Sequence, residues 1–178
     1  MKPFFLLFFI SALFFSSPLS AEEPSDIAAH PACQYCGMYR HKFAHSRMLI
    51  EYDDGNTIPT CSIHCAAIDL ALKINTAPAS IKVGDYNTKE LIDAETAIWV
   101  LGGDIDGVMS LQGKWAFGSH EAAAAFVATH GGNIATFDEA MEVTYTHMYN
   151  DTKNIRKKRQ NKKMKMMEHQ NMGQMHDH

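Results

Sequence analysis

All four cysteines of this 178-residue chain fall between positions 33 and 65, as Cys33-x-x-Cys36 and Cys61-x-x-x-Cys65. Thiols so placed are joined as two disulfides, gathered round a metal, or buried as small apolar groups. The segment between the pairs reads as a hairpin, with strands over 47–52 and 56–60 around the turn Asp53-Asp54-Gly55. A helix over 61–74 is predicted next, with Ile63, Ala66, Ala67, Leu70 and Ile74 as its apolar stripe and Thr60 or Ser62 as its cap.

The pattern then recurs. After a short strand at 80–83, strands are expected at 96–101, 107–111 and 114–117. An Ala-rich helix over 119–129 ends at Gly131-Gly132, and a strand at 133–136 leads into a helix over 137–148. Laying Gly55 on Gly113 puts Ile58 on Ala116 and Ile68 on Phe126. The expected class is therefore α+β, built from two similar hairpin–helix–strand modules at about 33–92 and 93–150 within a domain spanning 22–150. Trp99, Trp115, Phe117 and Phe126 are expected in its core, and residues 22–32 as a flexible lead-in.

Both ends differ from this body. Residues 1–21 carry one lysine, an apolar run from Phe4 to Phe15 and a small-residue ending at Ser20-Ala21, which reads as a cleaved secretory signal peptide. The run is short for a membrane anchor, and no cysteine near the cleavage point offers a site for a lipid. Residues 22–150 carry a net charge of −10 and residues 151–178 a net charge of +5. A basic tail can touch nucleic acid, but an exported chain rarely meets any. Attraction to the acidic body or to anionic lipid fits better. The tail also collects Met164, Met166, Met167, His169, Met172, Met175, His176 and His178. Its composition cannot form a core, so disorder is expected beyond a helical start.

Soft ligands dominate the candidate chemistry. Cys33 and Cys36 can grip one ion, Gly37 lets the backbone turn tightly, and Met38 adds a thioether. Thiolate with thioether selects copper(I); zinc accepts the thiolates but has little use for methionine. On a helix Cys61 and Cys65 share a face, with His64 close to it. Two other readings of Cys33/Cys36 stay open, a redox dithiol and a plain disulfide. A zinc-stabilised binding module using all four cysteines is a further alternative. The tail's thioethers and imidazoles would scavenge or concentrate copper(I). His41, His45, His120 and His130 show no ligand spacing and read as surface residues. Phosphate-binding glycine loops, nucleophile elbows and His-Glu-x-x-His are absent from the sequence, so no catalytic residue is assigned and an enzyme is not expected.

With these residues in hand, the chain resembles the NosL family of nitrous oxide reductase accessory proteins. The resemblance covers roughly 33–148. It rests on Tyr35-Cys36-Gly37-Met38, on the helix opening after Thr60-Cys61-Ser62, on Ala97 to Gly103, and on Gly107-Val108-Met109. Phe117-Gly118-Ser119, Glu121 to Phe126 and Gly131-Gly132-Asn133-Ile134 complete it. The resemblance implies a periplasmic copper(I) chaperone that delivers its ion to a client enzyme, nitrous oxide reductase. It also implies paired α+β modules like those of the organomercurial lyase MerB. It puts the family's Cys-x-Met motif on Cys36 and Met38 and makes Met109 a third soft ligand or a packed core residue. Cys61, Cys65 and the Met/His tail are not general family features, and many members carry a lipid this chain has no cysteine for.

Overall fold

The structure is a computed structural model that describes residues 24–176. The expected signal peptide lies outside the described residues. Among the described residues, no helix is long and apolar enough to cross a membrane.

A short helix α1 (Ser25–Ala29) and a 3-10 turn at Arg40–Phe43 precede the hairpin β1 (Met48–Tyr52) and β2 (Thr57–Thr60). Helix α2 (Ile63–Leu72) follows, then β3 (Pro78–Gly84) and β4 (Leu91–Asp93). The second half runs β5 (Ile98–Leu101), β6 (Lys114–Phe117), α3 (His120–His130), β7 (Asn133–Ala135) and α4 (Phe137–His176).

The strands form two antiparallel sheets, in the orders β2-β1-β3-β4 and β6-β5-β7. Hairpin, helix and returning strand thus occur twice with the same strand order, β1 corresponding to β5. The chain is α+β, as expected from its patterning. Strand β5 joins the halves by its alternation. Trp99 and Leu101 point into a core with Met48, Ile50, Ile81, Val83 and Ala66, which α4 covers with Phe137 and Ala140. Val100 points the other way, to Trp115, Phe117, Ala123 and Phe126 under α3. A parallel bridge between Asp85 and Ala116 links the two sheets directly.

Several expectations are corrected. Residues 107–111 are not a strand. Both edges of β5 are already taken by β6 and β7, so this segment has no partner and loops outwards. Gly107 sits so close to the loop's far end that an added Cβ would lie 2.3 Å from the Gln112 carbonyl oxygen. Met109 takes φ +59°, a left-handed conformation rare for a side-chain-bearing residue. Ile74, placed on the apolar stripe of α2, is 82% exposed, because the helix stops at Leu72.

From residue 24 on, the lead-in is ordered, and the cause is electrostatic. Asp26 on α1 accepts from Arg40 Nη2, Arg47 Nε and Arg47 Nη2, each at 2.8 Å. Both arginines are buried, and Arg40 also donates to the carbonyls of Asp26, His30, Met48 and Thr60. Charges taken from water are stable only when paired and hydrogen-bonded in this way. The helical start expected for the tail is the continuation of α4. Lys, Arg, Gln, Glu and Met are good helix formers, and they fill this stretch. Beyond Ile155 the described side chains are exposed, so this part of the helix stands clear of the core.

Candidate metal centre

The site grows from two local structures. The first is a loop closed on itself: Cys33 N–H donates to the Met38 carbonyl at 2.9 Å and Gly37 N–H to the Cys33 carbonyl at 3.0 Å. Gly37 adopts φ +70°, the conformation for which a glycine was expected here. The second is the β2–α2 junction. Ser62 holds the N-cap position with extended backbone but without a side-chain cap. Cys61 therefore lies just before the helix and Cys65 in its first turn. Arg40 Nε holds the Thr60 carbonyl and Ser46 Oγ the Cys61 carbonyl at 2.9 Å, which fixes the junction.

One buried carboxylate ties the two together. Tyr35, inside the Cys33–Cys36 loop, donates its hydroxyl to Asp69 Oδ1 of α2 at 2.5 Å. Tyr52 of β1 donates to the other oxygen, also at 2.5 Å. Burial, reinforced by the Asp69 charge, pushes both phenols up and keeps them as donors. Asp69 and Tyr52 were not singled out from the sequence, and Tyr35 entered only within the Tyr35-Cys36-Gly37-Met38 resemblance, with no role of its own.

The result is a cluster in which the Sγ atoms of Cys33, Cys36, Cys61 and Cys65 all lie within 4.8 Å of one another. The separation is 3.4 Å for Cys36–Cys61 and 3.8 Å for Cys61–Cys65. All four are free thiols. Three are buried and Cys36 is half-buried. Met38 and Met109 pack against them, with Phe43 and Val108. The sequence-predicted Cys33, Cys36, Met38, Cys61, Cys65 and Met109 therefore meet in one place. His64 does not join the group of sulfurs. It is buried on α2, its Nδ1 has no hydrogen-bond partner, and burial pushes its pKa down.

Mutual hydrogen bonding sorts the thiols. Cys33 is driven well below the usual thiol range by the Cys36, Cys61 and Cys65 side chains. Cys36 is raised by Cys33, but Cys61 and Cys65 lower it more, leaving it at about 7. Cys61 and Cys65 are pushed up, each chiefly by Cys33 and then Cys36. Negative charge thus gathers on the loop thiols, with the α2 thiols as donors. Thiolate is the form that binds metal.

A cavity of about 460 Å³ opens beside the cluster. Met38 and Met109 line it, so the thioethers are shared by cavity and cluster. His45 lines it too. Taken from the sequence as a surface residue, it is half-buried against Trp115 and Tyr86, and burial lowers its pKa. The far wall is α4, through Asp151, Ile155 and Arg159 among others. Asp151 Oδ1 accepts from Leu111 N–H at 3.1 Å, and Arg159 donates to the Cys36 carbonyl at 3.2 Å. The helix thus touches both loops that carry sulfur.

A family model described as NosL matches residues 24–145. The crystal structure of the copper chaperone NosL from Shewanella denitrificans is similar to this fold with a TM-score of 0.54, at 22% identity. The alignment covers 69% of this chain and 96% of that one. No curated protein matches the sequence.

Proposed function

This chain belongs to the NosL family, and on that premise we propose that it is an exported carrier which holds copper(I) on sulfur and passes it to a copper-requiring enzyme, with nitrous oxide reductase as the client. The family is one of copper chaperones, not enzymes. The observation that carries the reading is the convergence of four thiols and two thioethers at the edge of one cavity. Soft donors without oxygen ligands select a soft monovalent ion.

Cys36 is the entry ligand, since it is the least buried thiol and ionises near neutrality. Met38 and Met109 receive the ion on the cavity side, and Cys33, Cys61 and Cys65 complete the hold from within. Delivery is ligand exchange: a client's cysteine, methionine or histidine enters the cavity and displaces these donors in turn, so the ion is never free. Proton return to the thiols accompanies release. The Met/His-rich end of α4 gathers copper close to the site, acting through effective concentration.

Four thiols this close also suit a structural zinc ion. The two thioethers favour copper, because zinc has no use for them. A disulfide exchanger between Cys33 and Cys36 fits less well: the pair sits in a loop before a hairpin, and Cys36 shares a hydrogen bond with the Cys61 thiol just before α2.

Anaerobic competition with a cuprous chelator tests the reading, using wild type, Cys36→Ser and Met38→Ala. Tight copper(I) binding weakened by both substitutions is expected, followed by transfer to copper-free nitrous oxide reductase. Retention of zinc that is indifferent to Met38→Ala, or a Cys33–Cys36 disulfide that copper cannot displace, would overturn it.

A further inference from the structure

The number of sulfurs exceeds what one cuprous ion uses. Copper(I) is satisfied by two or three sulfur donors. Here Cys33, Cys36, Cys61, Cys65, Met38 and Met109 supply six, from three separate segments. We infer that the cluster holds two copper(I) ions bridged by thiolate, rather than a single ion.

Thiol number points the same way. One ion with two or three sulfur donors leaves at least one of the four clustered thiols without a metal. A second ion gives every thiol a metal partner. Each thiol that binds loses its proton to the medium, so nothing is oxidised or reduced.

Geometry allows it. A single four-coordinate ion with metal–sulfur bonds of about 2.3 Å would hold its sulfurs about 3.8 Å apart along every edge. The cluster is less regular: Cys36–Cys61 is 3.4 Å and Cys61–Cys65 is 3.8 Å, in a group no wider than 4.8 Å. Uneven spacing suits low-coordinate ions that share a bridging sulfur. The thioethers lie where outer ligands are needed, since Met38 and Met109 pack on the thiols from the cavity side. Met109, at φ +59°, packs against the buried thiol cluster rather than along a sheet edge.

The inference rests on the copper reading above and extends it to stoichiometry. The test loads the full chain anaerobically with copper(I) and then exposes it to excess bicinchoninate, which strips ions held only by thioether or imidazole. Native mass spectrometry should find two copper ions per chain. X-ray absorption should show copper–copper scattering, and ultraviolet excitation should give the orange emission of a solvent-shielded polynuclear copper–thiolate core. Cys61→Ala/Cys65→Ala should halve the stoichiometry to one ion and abolish both signals. Should that variant misfold, the wild-type count and scattering decide alone. A single retained ion without copper–copper scattering or emission overturns the dinuclear site while leaving the carrier intact. No retained copper overturns the carrier itself.

Discussion

Tyr35→Phe isolates the bond that docks the metal loop. The Tyr35 hydroxyl gives Asp69 one of its two 2.5 Å hydrogen bonds. A hydrogen bond to a charged group contributes about 1.5–3 kcal/mol. Tyr35 is 36% exposed, so water can partly replace it and the lower end applies, about 1.5 kcal/mol. At about 2–4 °C per kcal/mol for a chain of this size, the copper-free protein should melt about 3–6 °C lower. If the bond serves chiefly to hold Cys33 and Cys36 against α2, copper(I) affinity should fall by up to about tenfold, since about 1.4 kcal/mol is one decade. Tyr52→Phe is the control: it removes the same kind of bond to the same carboxylate from β1, away from the loop. It should lower the melting temperature at least as much, because Tyr52 is buried, yet leave copper affinity near wild type. Chelator competition and thermal melts on the two variants measure both quantities. Equal losses of affinity in the two, or none in Tyr35→Phe, would refute the docking argument.

Asp26→Ala leaves two buried guanidinium groups unpaired and should cost about 3–5 kcal/mol in chemical denaturation. The arginines hold the Asp26 carboxyl below its usual 3.8 against the opposing effect of burial. Its contribution is therefore present at neutral pH and lost as acid protonates it below that value. Copper(I) affinity should weaken as pH falls through about 7, where the Cys36 thiol takes up its proton, and should go on rising above it, because Cys61 and Cys65, pushed up, still release protons when they bind; competition titrations between pH 6 and 8 follow this directly. Truncation after residue 150 removes the Asp151 and Arg159 contacts to the two sulfur-bearing loops. It should leave the core folded by circular dichroism while a stopped-flow chelator assay shows copper leaving several-fold faster.

Local pattern was enough for much of this molecule. Turn glycines and alternating apolar residues give the hairpin, helix and strand of each module their own signals, and so the repeat was visible without coordinates. Cys36-Gly37-Met38 made soft-metal chemistry an expectation, because ligand softness belongs to the residue type. What the chain could not reveal were facts about distance in space. Asp26 is unremarkable until two arginines from elsewhere bury against it. Residues 107–111 read as a strand until β6 and β7 occupy both edges of β5. His45 looks like a surface histidine until Trp115 and Tyr86 close round it. Only folding brings Cys61 and Cys65 onto Cys33 and Cys36, because a helix spacing fixes which thiols share a face but not what that face meets.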